Sequence, residues 1–461
     1  MSTPRDPAHL PWIGHEQTPG RDEQAYAAAL RERIGPRMTA YAQQLEDAGL
    51  PAQTVAEREA TVRSLLASEL AADTATSLQA GRAPLDELAE ARVTRLVVDG
   101  LFGLGGLQRL LENPEIENIH VNGYDRVFVR YAGGRKERVE PFVSSDEELV
   151  ELLRTVAARS GAEERRIDRT QPSLNLQLPD GSRLFAVMFL TPRVSVSIRR
   201  HRFPRVTLDV LENLGVFDRD LRYLLGALVR ARMNILVAGG TDTGKTTLLR
   251  GLVSEIAPEE RLITIEDTFE LGLERDEQAH PDVVALQARE ANLEGVGAID
   301  QAELVRKGLR MAPDRVIVGE IRGSEVVPAC NAMSQGNDGS LSTIHASTSA
   351  GVFAKLAAYA AQSPERLSME ATNLLVAAAV DFVVHVTWST DKQRVVDSVR
   401  EIVGADGPQV VSNEIYRPGP DLRAVPATPL RAETAERLFR VGWQPPTVGA
   451  FGAAGGWGGA R

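Results

Sequence analysis

A glycine-rich stretch in the middle of the chain has the composition of a phosphate-binding loop. It reads GGTDTGKTT, follows an apolar run typical of a strand, and precedes a segment typical of a helix. Glycines let backbone N–H groups surround phosphate oxygens, and the helix N-terminus adds the positive end of its dipole. The stretch therefore predicts a nucleoside triphosphate site. Its predicted nucleotide-binding residues are Gly239, Gly240, Thr241, Asp242, Thr243, Gly244, Lys245, Thr246 and Thr247.

Within this loop, three side chains have distinct expected tasks. Lys245 is expected to reach the β- and γ-phosphates, and Thr246 to bind Mg²⁺ through its hydroxyl. Thr247 is expected to contact the α-phosphate. The alternative is an ordinary glycine-rich turn of an α/β protein, which the strand-to-helix context disfavours.

Carboxylates and a histidine follow other apolar runs and supply the remaining groups that phosphoryl transfer to water needs. Glu320 follows RVIVG and is expected at the carboxyl edge of the sheet, where it would position or deprotonate the attacking water and bind Mg²⁺. Glu266, a second catalytic candidate, and Asp267, a Mg²⁺ ligand partly through water, end the run RLITIED. His345 follows GSLSTI and is a candidate γ-phosphate sensor. For Asp267 a helix cap is an equal alternative, and for His345 a structural role is a second reading.

Arginines lie close to these segments in the sequence. Arg310 precedes RVIVGEI and Arg322 follows it, so both are candidate nucleotide contacts. Arg306 and Arg310 have the i, i+4 spacing of one helical face. These side chains could bridge neighbouring subunits or phosphates, and a charged surface ladder is an equal alternative.

The composition describes an acidic globular protein with room for two or three domains. The chain has 461 residues, 43% of them hydrophobic and 25% charged, with a formal net charge of -11. This balance argues against a protein that coats nucleic acid. The single cysteine, Cys330, excludes an intramolecular disulfide, fits a reducing cytoplasm, and is expected to be a core residue.

Targeting signals are not expected. The N-terminal segment has no basic stretch followed by an apolar one, which disfavours secretion. The longest apolar stretch, LLVAAAVDFVVHV, is shorter than the roughly 20 residues of a bilayer span and carries Asp381 and His385. It predicts a buried helix that continues into a core strand.

Changes in pattern divide the chain into five predicted parts. Helical periodicity predicts an extension over residues 1–90, with the first 20 disordered. Short alternating strands predict a mixed α+β domain, and the alternation of strands and helices after it predicts an α/β domain with a parallel sheet covered by helices. A proline-containing basic segment between the two is typical of a linker. After the extension, the predicted bounds are 91–200 for the α+β domain, 201–215 for the linker and 216–440 for the α/β domain. Residues 441–461 are predicted to form a disordered Gly-rich tail.

Four segments together resemble a known family. GGTDTGKTT, LITIEDTFEL, LVRKGLRMAPDRVIVGEIRG and GNDGSLSTIHA have the order and spacing of the Walker A, Asp, Walker B and His boxes. That order resembles the ATPases of type II and type IV secretion and type IV pilus systems, over about residues 90 to 435. GLGGLQRLLENPEIENIHVNG, LPDGSRLFAV and SIRRH look most like the CpaF-type branch of Tad pilus assembly.

The resemblance implies a fold, a ring and partners. It implies a PAS-like N-terminal domain followed by a RecA-like domain. It also implies a homohexamer that binds ATP and Mg²⁺ and hydrolyses the ATP. Arg199 and Arg200 match the basic pair that approaches the phosphates. The implied partner is a polytopic inner-membrane platform protein of a pilus or secretion system, which places the chain in the cytoplasm beside that membrane. No specific nucleic acid is expected.

Three departures from the family pattern bear on function. Asp242 and Thr243 stand where relatives usually have Gly-Ser, which puts an additional carboxylate beside the phosphates unless it points to solvent or pairs with an arginine. Asn337 stands where a histidine is usual, and Leu174-Asn175-Leu176 replaces an acidic residue and alanine. Two alternatives to a secretion or pilus motor therefore stay open: a conjugation or DNA-translocation ATPase, and a nucleotide-binding regulatory subunit without turnover.

Overall fold

The computed structural model describes residues 21–48, 53–102, 104–131, 134–159, 167–178, 180–200, 205–289, 291 and 296–445. The segments predicted to be disordered, 1–20 and most of 441–461, lie outside this range. Across the described helices, none combines the length and the apolar character that crossing a bilayer requires.

The described residues form helices and strands in two units. The helices are α1 Arg21–Asp47, α2 Val55–Gln79, α3 Glu87–Leu101, α4 Leu107–Glu112, α5 Asp146–Arg159, α6 Leu208–Asn213, α7 Arg219–Arg230, α8 Lys245–Val253, α9 Gln301–Gly308, α10 Val326–Ser334, α11 Gly351–Gln362, α12 Met369–Ala379 and α13 Ala432–Arg440. The strands are β1 Ile116–Asn122, β2 Val127–Tyr131, β3 Lys136–Val139, β4 Ser173–Gln177, β5 Arg183–Val187, β6 Ser195–Arg199, β7 Ile235–Gly239, β8 Leu262–Glu266, β9 Val283–Gln287, β10 Arg315–Ile321, β11 Leu341–His345, β12 Phe382–Trp388, β13 Arg394–Asp406, β14 Gln409–Pro418 and β15 Ala424–Pro426.

The first unit is built around the three helices α1, α2 and α3. It takes in Met1–Ile116, Asn122–Val127 and Arg138–Val156, as far as these ranges are described. Apolar residues at helical spacing, such as Leu30, Leu66 and Val97, are fully buried between the helices. The helical periodicity of the N-terminal part of the sequence therefore reflects a packed helical core.

Most residues of two sheets belong to the second unit. Its smaller sheet has the strand order β3-β2-β1-β6-β5-β4, with β4, β5 and β6 pairing antiparallel. On these strands every second residue is buried, for example Leu174 and Leu176 on β4, so one face packs against the core and the other is more exposed. The predicted alternation is confirmed.

The larger sheet has the strand order β15-β14-β13-β12-β7-β11-β10-β8-β9. The strands from β12 to β9 in this order are parallel, and β13, β14 and β15 extend the sheet antiparallel. Neighbouring residues of β7 face different cores: Ile235 and Val237 pack towards α7 and α8, and Leu236 and Ala238 towards α10 and α12. Helices therefore cover both faces, and the predicted α/β fold with a parallel sheet is confirmed.

Several local predictions can be compared with the structure. The apolar stretch LLVAAAVDFVVHV runs from α12 into β12, as predicted, and Cys330 is a buried residue of α10. The strands β9, β14 and β15 were not predicted. Polar residues interrupt β14, and both β14 and β15 end in proline, whereas β9 is a short apolar run, VVALQ, that the sequence analysis did not assign. Within the predicted linker 201–215, the described part holds α6, which begins at the N-cap Thr207 and buries Leu208 in the core of the second unit.

Two buried polar residues connect the strands that carry the functional residues. Arg315, at the start of β10, is 1% exposed, forms two hydrogen bonds of 2.7 Å to the Glu260 carboxylate, and donates to the carbonyls of Val229 and Gly339. Asn234, just before β7, donates to two carbonyls and accepts from two backbone N–H groups. These bonds hold β7 and β10 in fixed positions, since each buried partner would otherwise be unsatisfied.

Candidate functional site

The phosphate loop connects β7 to α8, as the sequence predicts. Gly239 ends β7 and Lys245 begins α8. A Cβ on Gly239 would lie 2.5 Å from the Val386 carbonyl oxygen and 2.6 Å from the Thr243 hydroxyl, so the close approach of these segments requires glycine. Gly244, at the N-cap, has a φ of 95°, which is again a glycine conformation. The loop therefore presents the free N–H groups of the α8 N-terminus, the geometry that binds an anion.

Lys245, His345 and Glu320 form a chain of contacts beside the loop. β11 lies between β7 and β10, and His345 is paired with Gly239 in the sheet register. The Lys245 ammonium lies 3.2 Å from Nδ1 of His345 and donates to the Gly240 carbonyl at 2.8 Å. Nε2 of His345 lies 2.9 Å from Oε1 of Glu320. The structure thus brings these three predicted site residues together at the carboxyl edge of the parallel sheet, where Glu320 was expected.

The protonation of this chain follows from burial and charge. Burial, together with the neighbouring Lys245 ammonium, lowers the pKa of His345, and burial also lowers the pKa of Lys245. His345 is therefore neutral near pH 7. In the arrangement that satisfies both contacts, Nδ1 accepts from the Lys245 ammonium and Nε2–H donates to the Glu320 carboxylate.

Glu266 ends β8 and points into the protein. Its side chain is 3% exposed, and Oε1 accepts hydrogen bonds from the backbone N–H groups of Glu270 and Leu271 at 2.8 and 2.9 Å. Burial raises the pKa of Glu266 to about 8, so at neutral pH it carries its proton. The predicted catalytic candidate therefore holds the segment that follows β8 rather than presenting a free carboxylate.

Asp267 is held by arginines. Arg322, just after β10, lies 2.6 Å from its carboxylate, and Arg183 of β5 lies 3.8 Å from it. Arg183 also bonds Glu270 at 3.1 Å. The alternative that Asp267 caps a helix is therefore wrong. Arg322, predicted as a nucleotide contact, instead forms an ion pair with the Asp267 carboxylate.

Asp242 lies at the tip of the phosphate loop and is surrounded by arginines. Its carboxylate lies 2.9 Å from Arg130, 3.3 Å from Arg394 and 3.8 Å from Arg199. The sequence analysis gave two ways to avoid repulsion between Asp242 and the phosphates: exposure of its carboxylate to solvent, or pairing with an arginine. The structure shows the second, pairing with arginines. Arg130 and Arg394 were not predicted as site residues, because strands β2 and β13 are far from the loop in sequence.

The remaining predicted nucleotide contacts divide into two groups. Arg199 and Arg200, at the end of β6, line one cleft together with Thr246 and Thr247 of α8. Arg310 lies elsewhere: α9 ends at Gly308, so Arg310 falls in an exposed 3₁₀ turn and does not share a helical face with Arg306. The i, i+4 prediction was wrong because the helix ends between these two residues. Arg306 pairs with Glu365 at 2.9 Å.

The two other departures from the family pattern have local structural roles. Asn337 donates from its side chain to the Pro313 carbonyl at 2.7 Å, in the turn before β11. Asn175 of β4 donates to the Thr268 hydroxyl at 3.0 Å, and Gln177 donates to the Phe269 carbonyl at 2.9 Å. The smaller sheet thus holds the segment after β8 through the amide side chains of Asn175 and Gln177.

The donors near the loop suit Mg²⁺. Mg²⁺ prefers hard oxygen ligands and is usually held by one or two protein groups together with phosphate oxygens. The Thr246 hydroxyl and the Glu320 carboxylate supply oxygens of this kind, whereas Asp267 is occupied by arginine. Throughout the described ranges, no group of three or more His, Cys, Asp or Glu side chains is placed to hold a metal alone. The donor set therefore fits an ion that is shared with a bound nucleotide.

Comparison with known proteins identifies the family. The family model "Type II/IV secretion system protein" matches residues 102–414. The chain belongs to this family. Nucleotide binding, which membership of this family implies, agrees with the phosphate loop described above.

Individual relatives of this secretion protein come from several bacteria. A Mycobacterium tuberculosis protein whose name refers to conjugal transfer is 34% identical over 322 residues, covering 68% of this chain and 88% of its own. VirB11 of Agrobacterium fabrum is 32% identical over 305 residues, covering 59% of this chain and 85% of its own. The solved VirB11 ATPase of the Brucella suis type IV secretion system, in complex with sulphate, is 30% identical, with a TM-score of 0.34 and coverage of 64% and 94%.

Proposed function

We propose that this secretion protein is an ATP-hydrolysing motor of a type II or type IV secretion system. The observation that carries the proposal is the chain of contacts from Lys245 through His345 to Glu320 beside the phosphate loop. A phosphate-binding lysine and a carboxylate that can receive a proton are the two groups that hydrolysis of a terminal phosphate needs. A loop that only binds nucleotide requires the lysine but not the carboxylate.

Each residue has a defined task in the proposed reaction. The loop N–H groups and Lys245 would hold the phosphates and offset their charge. Glu320 would orient the attacking water and accept its proton, and His345 keeps that carboxylate in place by donating to it from Nε2. When bound at Thr246 and Glu320, Mg²⁺ supplies positive charge to the phosphate oxygens.

The assembly and partners belong to the same proposal. By resemblance, the chain forms a homohexameric ring in the cytoplasm and acts on a polytopic membrane platform protein, with a PAS-like domain before the RecA-like one. Within the secretion family we place it in the branch that assembles Tad pili. Two observations support the motor reading in general terms: the family match and the net charge of -11, which disfavours nucleic acid as the main partner.

The test is ATP turnover by the purified full chain with Mg²⁺, comparing wild type with Glu320→Gln and Lys245→Ala. Loss of the proton acceptor is expected to lower kcat by about 10²- to 10⁴-fold while nucleotide still binds, and loss of Lys245 is expected to weaken binding as well. Glu303→Gln, on the exposed surface of α9, is the matched control. Measuring the molecular mass of the protein in the presence of nucleotide tests whether it forms the proposed hexameric ring. Nucleotide binding without turnover in wild type would refute the motor and favour a regulatory subunit.

A second candidate is a conjugation ATPase that moves DNA. The relatives whose names refer to conjugal transfer favour it. Adding double-stranded or single-stranded DNA to the same assay separates the two candidates. Turnover that is unchanged by DNA supports the secretion motor, and stimulation that weakens steeply with salt supports DNA translocation.

A further inference from the structure

Asp242 carries the only carboxylate of the phosphate loop and is contacted by arginines from three strands. Arg130 comes from β2, Arg199 from β6 and Arg394 from β13, at 2.9, 3.8 and 3.3 Å from its oxygens. Each is a group that binds phosphate well, because a guanidinium offers paired N–H donors to a planar or tetrahedral anion. These arginines thus share one protein carboxylate as a counter-ion at the loop.

The position of Arg394 is fixed by further contacts. Its Nε donates to the Asp242 backbone carbonyl at 3.1 Å, and its terminal nitrogens lie 3.3 and 3.4 Å from the two oxygens of Glu117. Its guanidinium also stacks 4.8 Å over the Trp388 ring. Arg394 would therefore keep its place when the Asp242 side chain is replaced. Arg130 and Arg199, by contrast, contact Asp242 with side chains that are 34% and 47% exposed, so they can turn towards another anion when that charge is removed.

The backbone shows that residue 242 occupies a special conformation. Asp242 has a φ of 63°, in the left-handed region that favours glycine and that Asn and Asp tolerate better than other side chains. Asp242 lines the same cleft as Thr246 and Arg199. A nucleotide that enters this cleft meets three carboxylates, those of Glu117, Asp242 and Glu270. Asp242 is the one that belongs to the phosphate loop, and it is already paired with arginines.

We propose that Asp242 sets the nucleotide affinity of this site, as an internal anion that competes with ligand phosphates for Arg130, Arg199 and Arg394. Without ligand, the Asp242 carboxylate is the shared counter-ion of the three arginines. When phosphates enter the loop, they take over these guanidinium groups, and the Asp242 charge opposes them. The ligand class is a nucleoside di- or triphosphate, so this inference rests on the proposed nucleotide function.

The test is a calorimetric titration of the full chain with ADP and with a non-hydrolysable ATP analogue, at fixed ionic strength. Asp242→Asn removes the charge but keeps the side-chain size and the tolerance for a positive φ, and Asp242→Gly removes the side chain. Both variants are expected to bind the triphosphate analogue at least about tenfold more tightly than wild type. Asp209→Asn, on an exposed face of α6, removes one negative charge elsewhere and is expected to bind as wild type does.

A second variant distinguishes competition from simple repulsion. Arg130 has Asp242 as its described ion-pair partner, so Arg130→Gln tests a single guanidinium. Competition predicts that Arg130→Gln weakens binding more in the Asp242→Asn background than in wild type, because there the guanidinium is fully available to the phosphates. Equal losses in the two backgrounds would overturn the competition.

Two outcomes separate failure of this inference from failure of the proposed function. If wild type binds both nucleotides and the two Asp242 variants bind no more tightly, Asp242 positions the arginines for the ligand and the inference is overturned alone. If neither wild type nor either variant binds nucleotide while all three unfold with the same cooperative transition, the nucleotide site itself fails, and the inference fails with it.

Discussion

Replacing Glu266 by glutamine is expected to flatten the dependence of stability on pH. Glutamine has the shape of the protonated glutamate and can keep the two hydrogen bonds that Oε1 accepts from Glu270 and Leu271. Because burial raises the pKa of Glu266 from 4.5 to about 8, the folded protein holds this proton over a range in which the unfolded chain has released it. The variant removes that difference.

The sign and size follow from proton linkage. A raised pKa gives stability that is fully present below the unfolded value and is lost as pH rises through the folded value. With a shift of about 3.5 units, the full contribution is about 5 kcal/mol, and roughly 2 kcal/mol of it is lost between pH 6 and pH 8. Wild type is therefore expected to become less stable over this interval, relative to Glu266→Gln.

Urea unfolding at pH 6, 7 and 8, at constant ionic strength, measures the difference. The free energy of unfolding of wild type minus that of the variant cancels other groups that titrate in both proteins. A difference that stays constant across the three pH values would refute the assignment of a proton to Glu266. A fall of about 2 kcal/mol would support it.

Three further changes are expected to have defined effects. Glu260→Gln leaves the buried guanidinium of Arg315 without its charged partner and is expected to cost about 3 to 5 kcal/mol by urea unfolding; a loss below 1 kcal/mol would contradict the burial of this pair. Asn234→Ala removes the partners of four buried backbone groups and is expected to cost several kcal/mol, roughly 1 to 3 for each group that water cannot reach, measured in the same way. Gly239→Ala would place a Cβ 2.5 Å from the Val386 carbonyl oxygen, so calorimetry is expected to show loss of nucleotide binding, and unchanged affinity would contradict the tight packing of the loop.

The phosphate loop and the edge of the sheet could be predicted from the sequence because both depend on local patterns. Glycines, a lysine and an apolar run define the loop wherever it folds, and side chains that follow parallel strands must meet at one edge. Glu320 and His345 were placed there by this argument, and the structure brings them to 2.9 Å. The distance itself required the order β7-β11-β10, which separates the loop strand from β8 by two strands.

The charge environment of the site was decided only by the tertiary structure. The sequence shows a carboxylate at Asp242, but the arginines that contact it come from β2, β6 and β13. In the same way, the sequence predicted that Glu266 presents a free carboxylate. Only its burial in the folded chain raises its pKa, so that the side chain keeps its proton. Sequence patterns determine which chemical groups are present and where each strand ends. Ion pairing and protonation depend on distances through space and on exclusion of water, which only the packed chain sets.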